Sequence, residues 1–66
     1  MQLTINGEAR QYDALTSLNA LIETLELDPR KVAIELNLEV VPRSTYAATP
    51  LADGHRIEIV HFIGGG

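Results

Sequence analysis

Apolar and polar residues alternate at period two over Met1-Gln2-Leu3-Thr4-Ile5, which predicts a strand with one buried face. Asn6-Gly7 follows, a strong hairpin signal because both positions tolerate positive φ. Glu8 to Tyr12 is then the return strand. A two-residue loop puts Glu8, Arg10 and Tyr12 on the face of Leu3 and Ile5, and only Tyr12 suits burial. A longer, bulged loop relieves that conflict, so the pattern leaves the register open. Thr16-Ser17 supplies a helix cap, and Leu18, Leu21, Ile22 and Leu25 then form one apolar stripe. Asp28-Pro29-Arg30 is expected to stop this helix, since a residue before proline is driven out of the helical region. Val32, Ile34 and Leu36 alternate with polar or small residues as a third strand. Leu38 to Val41 reads as a short fourth strand, with Pro42 marking a sheet edge. Arg43 to Pro50 is irregular, with one helical turn around Ser44 to Ala48. After an Asp53-Gly54 turn, Arg56 to Phe62 makes the last strand, with Ile57 and Ile59 facing inward and Val60 and Phe62 outward.

Hairpin, helix, strand pair and final strand predict an α+β domain: a small mixed sheet with one main helix on one face. The first and last strands are expected side by side and parallel at the centre, the β-grasp or ubiquitin-like arrangement. Sixty-six residues suffice for one thin-cored domain, read as residues 1–63, with 64–66 as a flexible glycine tail. An apolar fraction of 45% is globular, yet no apolar run approaches the roughly 20 residues of a membrane span. No signal-peptide pattern is visible at the start. The absence of cysteine excludes disulfides and thiolate metal sites and favours a reducing cytoplasm. A net charge of −4 with three aromatics gives nucleic-acid binding no support and suits basic protein surfaces instead.

The candidate chemistry is sparse. His55 and His61 lie roughly 20 Å apart along a strand, too far to share a metal, and read as turn and strand-end residues. Glu23, Glu26 and Asp28 read as a solvated helix face and exit. Ser44, Thr45 and Thr49 have no histidine nearby in sequence to activate them, and no glycine-rich loop opens a helix to cradle phosphate. The chain is therefore expected to have no catalytic residues, metal site or bound cofactor of its own. Ile63-Gly64-Gly65-Gly66 stands apart. Lacking Cβ atoms, the glycines can enter a slot no wider than backbone, and four residues reach about 13 Å. A carboxylate at the tip becomes an electrophile once adenylated by ATP, open to a persulfide sulfur or an amine.

Met1-Gln2-Leu3-Thr4-Ile5-Asn6-Gly7-Glu8, Val32-Ala33-Ile34-Glu35-Leu36-Asn37, Val40-Val41-Pro42-Arg43, Asp53-Gly54-His55-Arg56-Ile57-Glu58-Ile59-Val60 and the glycine end together resemble the ThiS sulfur-carrier family of thiamine biosynthesis. The resemblance spans essentially the whole chain. One departure is His55, where the family often carries a second acid. The resemblance implies that a ThiF-like, E1-like enzyme uses MgATP to adenylate Gly66. A cysteine-desulfurase persulfide then supplies sulfur, and thiazole synthase (ThiG-like) consumes the thiocarboxylate. Gly64 and Gly65 would thread into partner active sites, and Val60, Phe62 and Ile63 would form the docking surface. Three alternatives stay open on sequence grounds: the small subunit of molybdopterin synthase, a ubiquitin-like protein modifier, and a plain interaction module.

Overall fold

The last strand of the sequence lies in the middle of the sheet. A computed structural model describes residues 1–62, which form β1 (Gln2–Ile5), β2 (Glu8–Gln11), α1 (Leu18–Thr24), β3 (Val32–Leu36), β4 (Glu39–Val41) and β5 (Arg56–His61). The strand order is β2-β1-β5-β3-β4. β1 and β5 run parallel through Thr4↔Arg56 and Ile5↔Ile57. β3 and β5 are antiparallel from Val32↔His61 to Leu36↔Ile57. This is the mixed β-grasp sheet expected from the pattern, with the one α-helix of the described residues packed on one face.

Leu3, Ile5, Val32, Ile34 and Ile57 point from the sheet into the core and meet Leu18, Leu21 and Ile22 of α1. Tyr46 and Leu51 complete it. Tyr46 sits in a 3-10 helix, Arg43–Ala48, longer than the single turn expected there. Its segment closes the start of α1, where the Leu18 N–H donates to the Thr49 carbonyl at 2.8 Å.

α1 begins as the cap predicts: Ser17 is extended and its side chain accepts the Ala20 N–H. Its end corrects the expectation of a proline stop. Glu26 turns left-handed at φ 58, its N–H donates to the Glu23 carbonyl, and the Leu27 N–H reaches back to Ile22 at 3.1 Å. This is a Schellman closure with glutamate in the position glycine usually fills. Asp28 is likewise no mere solvated carboxylate. It caps a separate 3-10 turn, Pro29–Lys31, accepting the Arg30 N–H at 2.9 Å, and pairs with the Arg30 guanidinium at 3.0 Å.

The open question of the first hairpin resolves in favour of the tight loop. Ile5↔Glu8 and Leu3↔Arg10 pair without a bulge, with Asn6 at φ 50 and Gly7 at φ 82. Glu8 and Arg10 thus share the inner side with Leu3 and Ile5. The conflict is harmless because β2 is an edge strand exposed along its length, and the two side chains form an ion pair at 3.3 Å. Tyr12, beyond the strand, packs against the core. The β3–β4 turn repeats the geometry without glycine, with Asn37 at φ 50 and Leu38 at φ 73.

A leucine held left-handed and 84% exposed carries backbone strain without burial to offset it. That conformation costs about 1–2 kcal/mol in a non-glycine residue, against roughly 0.5–1 kcal/mol of extra chain entropy for glycine. Leu38→Gly is therefore expected to raise Tm by about 2–4 °C; an unchanged or lower Tm would show that the strain does not exceed the entropic cost of glycine. Hydrogen bonds from the Arg30 side chain and then from its backbone N–H lower the Asp28 pKa from 3.8 to about 2. Because the folded value is the lower one, this contribution is present above pH 3.8 and lost as pH falls toward 2. Asp28→Asn should flatten that part of the acid-unfolding curve, and a variant curve parallel to wild type throughout would contradict it.

Candidate functional site

β5 leads from the sheet centre toward Ile63-Gly64-Gly65-Gly66, the segment singled out in the sequence, so its last residues and the surface around them are the candidate site. Side chains alternate: Ile57 is fully buried and Ile59 half-buried, whereas Val60 is 58% and Phe62 43% exposed. The inward and outward assignments made from sequence hold. The Phe62 N–H still donates to the Lys31 carbonyl at 2.7 Å, so sheet pairing continues to the last described residue. Ile63, Gly64, Gly65 and Gly66 lie outside the described residues.

Cross-strand pairing identifies the outer face. Ala33 stands opposite Val60, while Glu35 stands opposite both Glu58 and Val40. Val40, 74% exposed, Ala33, Val60 and Phe62 thus form an apolar path across three strands, beside the carboxylate pair Glu35 and Glu58. Like charges directly opposite on neighbouring strands are unfavourable. Among the described residues the ion pairs are Arg10–Glu8 and Arg30–Asp28, so neither of these two carboxylates has an ion-pair partner there. The pair suits a basic partner surface. Sequence reasoning found Val60 and Phe62 from the alternation of one strand; Val40, Glu35 and Glu58 required the pairing register.

The inner side of the same end is different in kind. An open depression of about 280 Å³ lies there, lined in part by Ile5, Asn6, Leu25, Leu27, Ile59 and His61. His55 sits elsewhere, in the Asp53-Gly54 turn, where its Nδ1 accepts the Ala52 N–H at 3.2 Å. The structure does not bring the two histidines into a common site. Thr45 and Thr49 donate their hydroxyls to the carbonyls of Pro42 and Thr45 at 2.8 and 2.7 Å, a local helix-stabilising use. Among the described residues no group of three His, Asp or Glu side chains could hold a metal ion, and no helix is long and apolar enough to cross a membrane.

Comparison with known proteins follows the same outline. The sequence matches the model of the ThiS family over residues 3–66. It is 53% identical over 66 residues to a thiazole synthase of Paramagnetospirillum magneticum, covering 100% of this chain but 20% of that protein. The chain thus spans about one fifth of the thiazole synthases it matches. It is 34% identical over 65 residues to the sulfur carrier protein ThiS of Bacillus subtilis, covering 97% of this chain and 98% of that one. The crystal structure of the thiamine biosynthesis protein ThiS from Geobacter metallireducens superposes with a TM-score of 0.85 at 35% identity, with 100% of both chains covered.

Proposed function

The chain belongs to the ThiS family, and we propose that it is a sulfur carrier of thiamine biosynthesis whose chemistry resides in the carboxyl group of Gly66. The observation that carries this reading is a family match running through the C-terminal glycines, residues 3–66, on a matching fold. The carboxylate oxygen attacks the α-phosphorus of MgATP in a ThiF-like adenylating enzyme, forming the acyl-adenylate and releasing pyrophosphate. The terminal sulfur of a cysteine-desulfurase persulfide attacks the acyl carbon and expels AMP. A thiol then cleaves the remaining S–S bond, becoming part of a disulfide, and leaves the Gly66 thiocarboxylate. The carrier is a substrate at every step and contributes no acid, base or nucleophile from its folded body. Gly64 and Gly65 give the width and reach that let the terminal group enter a partner's site.

The consumer of the sulfur in this reading is a thiazole synthase (ThiG-like). Two thiazole synthases carry a sequence 53% and 47% identical to this chain within one fifth of their length, which supports a physical pairing of the two activities. Docking uses the outer face around Val60 and Phe62, with Glu35 and Glu58 selecting a basic surface; Ile63, assigned to the same surface from the sequence, lies outside the described residues. A cytoplasmic location belongs to the same proposal, consistent with a cysteine-free chain and with ATP-dependent activation.

With the activating enzyme, MgATP and a persulfide donor, the chain should gain the mass of one sulfur in place of one oxygen, on its C-terminal fragment. Deleting Gly66 shortens the reach by about 3.5 Å, and positioned chemistry tolerates little displacement, about a hundredfold per 1 Å. Gly65→Ala keeps the length but widens the tail. Both variants should be poor substrates. An unmodified wild type, or a shortened chain activated equally well, overturns the reading. For docking, Phe62→Asp should weaken binding to the activating enzyme by about tenfold or more, with an unchanged circular dichroism spectrum. Wild-type affinity in that folded variant would place the interface elsewhere.

A further inference from the structure

β1 stops pairing with β5 at Ile5↔Ile57, although β5 continues to His61. Beyond Ile57 the β1-side edge of β5 has no strand paired to it among the described residues. A side chain takes its place. Asn6 Oδ1 accepts the Ile59 N–H at 2.7 Å, and Asn6 Nδ2 donates to the Ile59 carbonyl at 3.2 Å. The Asn6 backbone N–H donates to the Ile57 carbonyl at 2.9 Å. A primary amide offers the donor and acceptor of a peptide group, so Asn6 extends the ladder by one rung after its own strand has turned away.

Little else restrains β5 on that side. The opposite edge is held by β3 as far as Val32↔His61, but packing is weak: Val60, His61 and Phe62 are exposed, and Ile59 is only half-buried. The inner face beneath Ile59 and His61 opens into the depression that Asn6 also lines. We propose that Asn6 is a positioning residue, its side-chain amide clamping the end of β5 so that Val60 and Phe62 meet the activating enzyme in one orientation. This rests on the carrier reading. An unclamped strand end would have to be ordered during each encounter, which weakens binding without altering the reacting group.

The clamp is separable from the turn. Asn6→Gly keeps the positive φ, and Gly-Gly is compatible with the same hairpin loop, so only the amide is lost. Asn6→Asp retains an acceptor for the shorter bond but lacks the donor. Amide exchange by NMR and steady-state activation kinetics are measured on wild type and both variants. In Asn6→Gly the Ile59 amide should exchange about tenfold faster relative to Glu58, whose N–H faces β3 by alternation. KM for the carrier should rise about five- to tenfold with kcat unchanged, the signature of lost uniform binding. Asn6→Asp should fall between. Unchanged exchange at Ile59, unchanged KM, or acceleration spread equally over Glu58 and the core amides would each overturn the proposal. If wild type is not converted at all, the carrier reading fails and the positioning role falls with it. If wild type and Asn6→Gly are converted with equal KM, the positioning role alone falls.

Discussion

Everything in this fold depends on β5 being held along both edges. It is the last strand, yet it pairs with the first strand on one side and with β3 on the other. The sheet cannot close until the two ends of the sequence have met. Each end of β5 outruns one backbone neighbour, and an asparagine amide supplies the missing rung in both places. Asn37 Oδ1 accepts the Arg56 N–H at 2.9 Å where β3 turns into β4. Asn6 brackets Ile59 where β1 turns into β2. Both asparagines occupy the first position of a two-residue turn with φ near 50, a conformation that asparagine adopts more readily than most residues. One residue type therefore serves turn formation and strand anchorage together.

Much of this was legible from residue pattern alone. The period-two runs, the Asn6-Gly7 turn and the stripe from Leu18 to Leu25 each state a local preference that tertiary packing confirms, so the strands and the helix appear where expected. What escaped was non-local. The proline at position 29 is a strong local stop, but α1 ended earlier because the backbone closed on itself at Glu26 and Leu27. Tyr46 lies in a segment without periodicity, and its burial follows from the loop folding over the start of α1. The inner-side placement of Glu8 and Arg10 is tolerated only because β2 lies at the edge, which the hairpin sequence does not encode. For the site, Val60 and Phe62 were readable from alternation, whereas the Glu35–Glu58 pair and the Asn6 bonds needed the cross-strand register.

The two faces of the sheet divide the physical work. The inner face and α1 carry the cohesive energy in a short set of aliphatic residues, with Tyr46 and Leu51 sealing one end. A 66-residue chain has a net stability of only about 3–10 kcal/mol at typical values per residue, so little can be diverted from that face to recognition. The outer face is used instead. There Val40, Val60 and Phe62 remain exposed, and the Glu35 and Glu58 carboxylates stand opposite one another with no ion-pair partner among the described residues. These features do nothing for an isolated domain and become favourable against a partner that covers the apolar path and neutralises the charge.

That division also explains how a molecule with so little chemistry in its body can serve a chemical pathway. In the proposed carrier role one enzyme loads the chain and another unloads it, and both need the same terminal group. On that reading the chain's own contribution is a recognition face and the orientation of β5. Geometry in turn is set by the last rungs of β5. β3, with the Lys31 carbonyl just before it, supports one edge as far as Phe62, and Asn6 supports the other at Ile59. Orientation is thus fixed up to the last described residues, Val60 to Phe62.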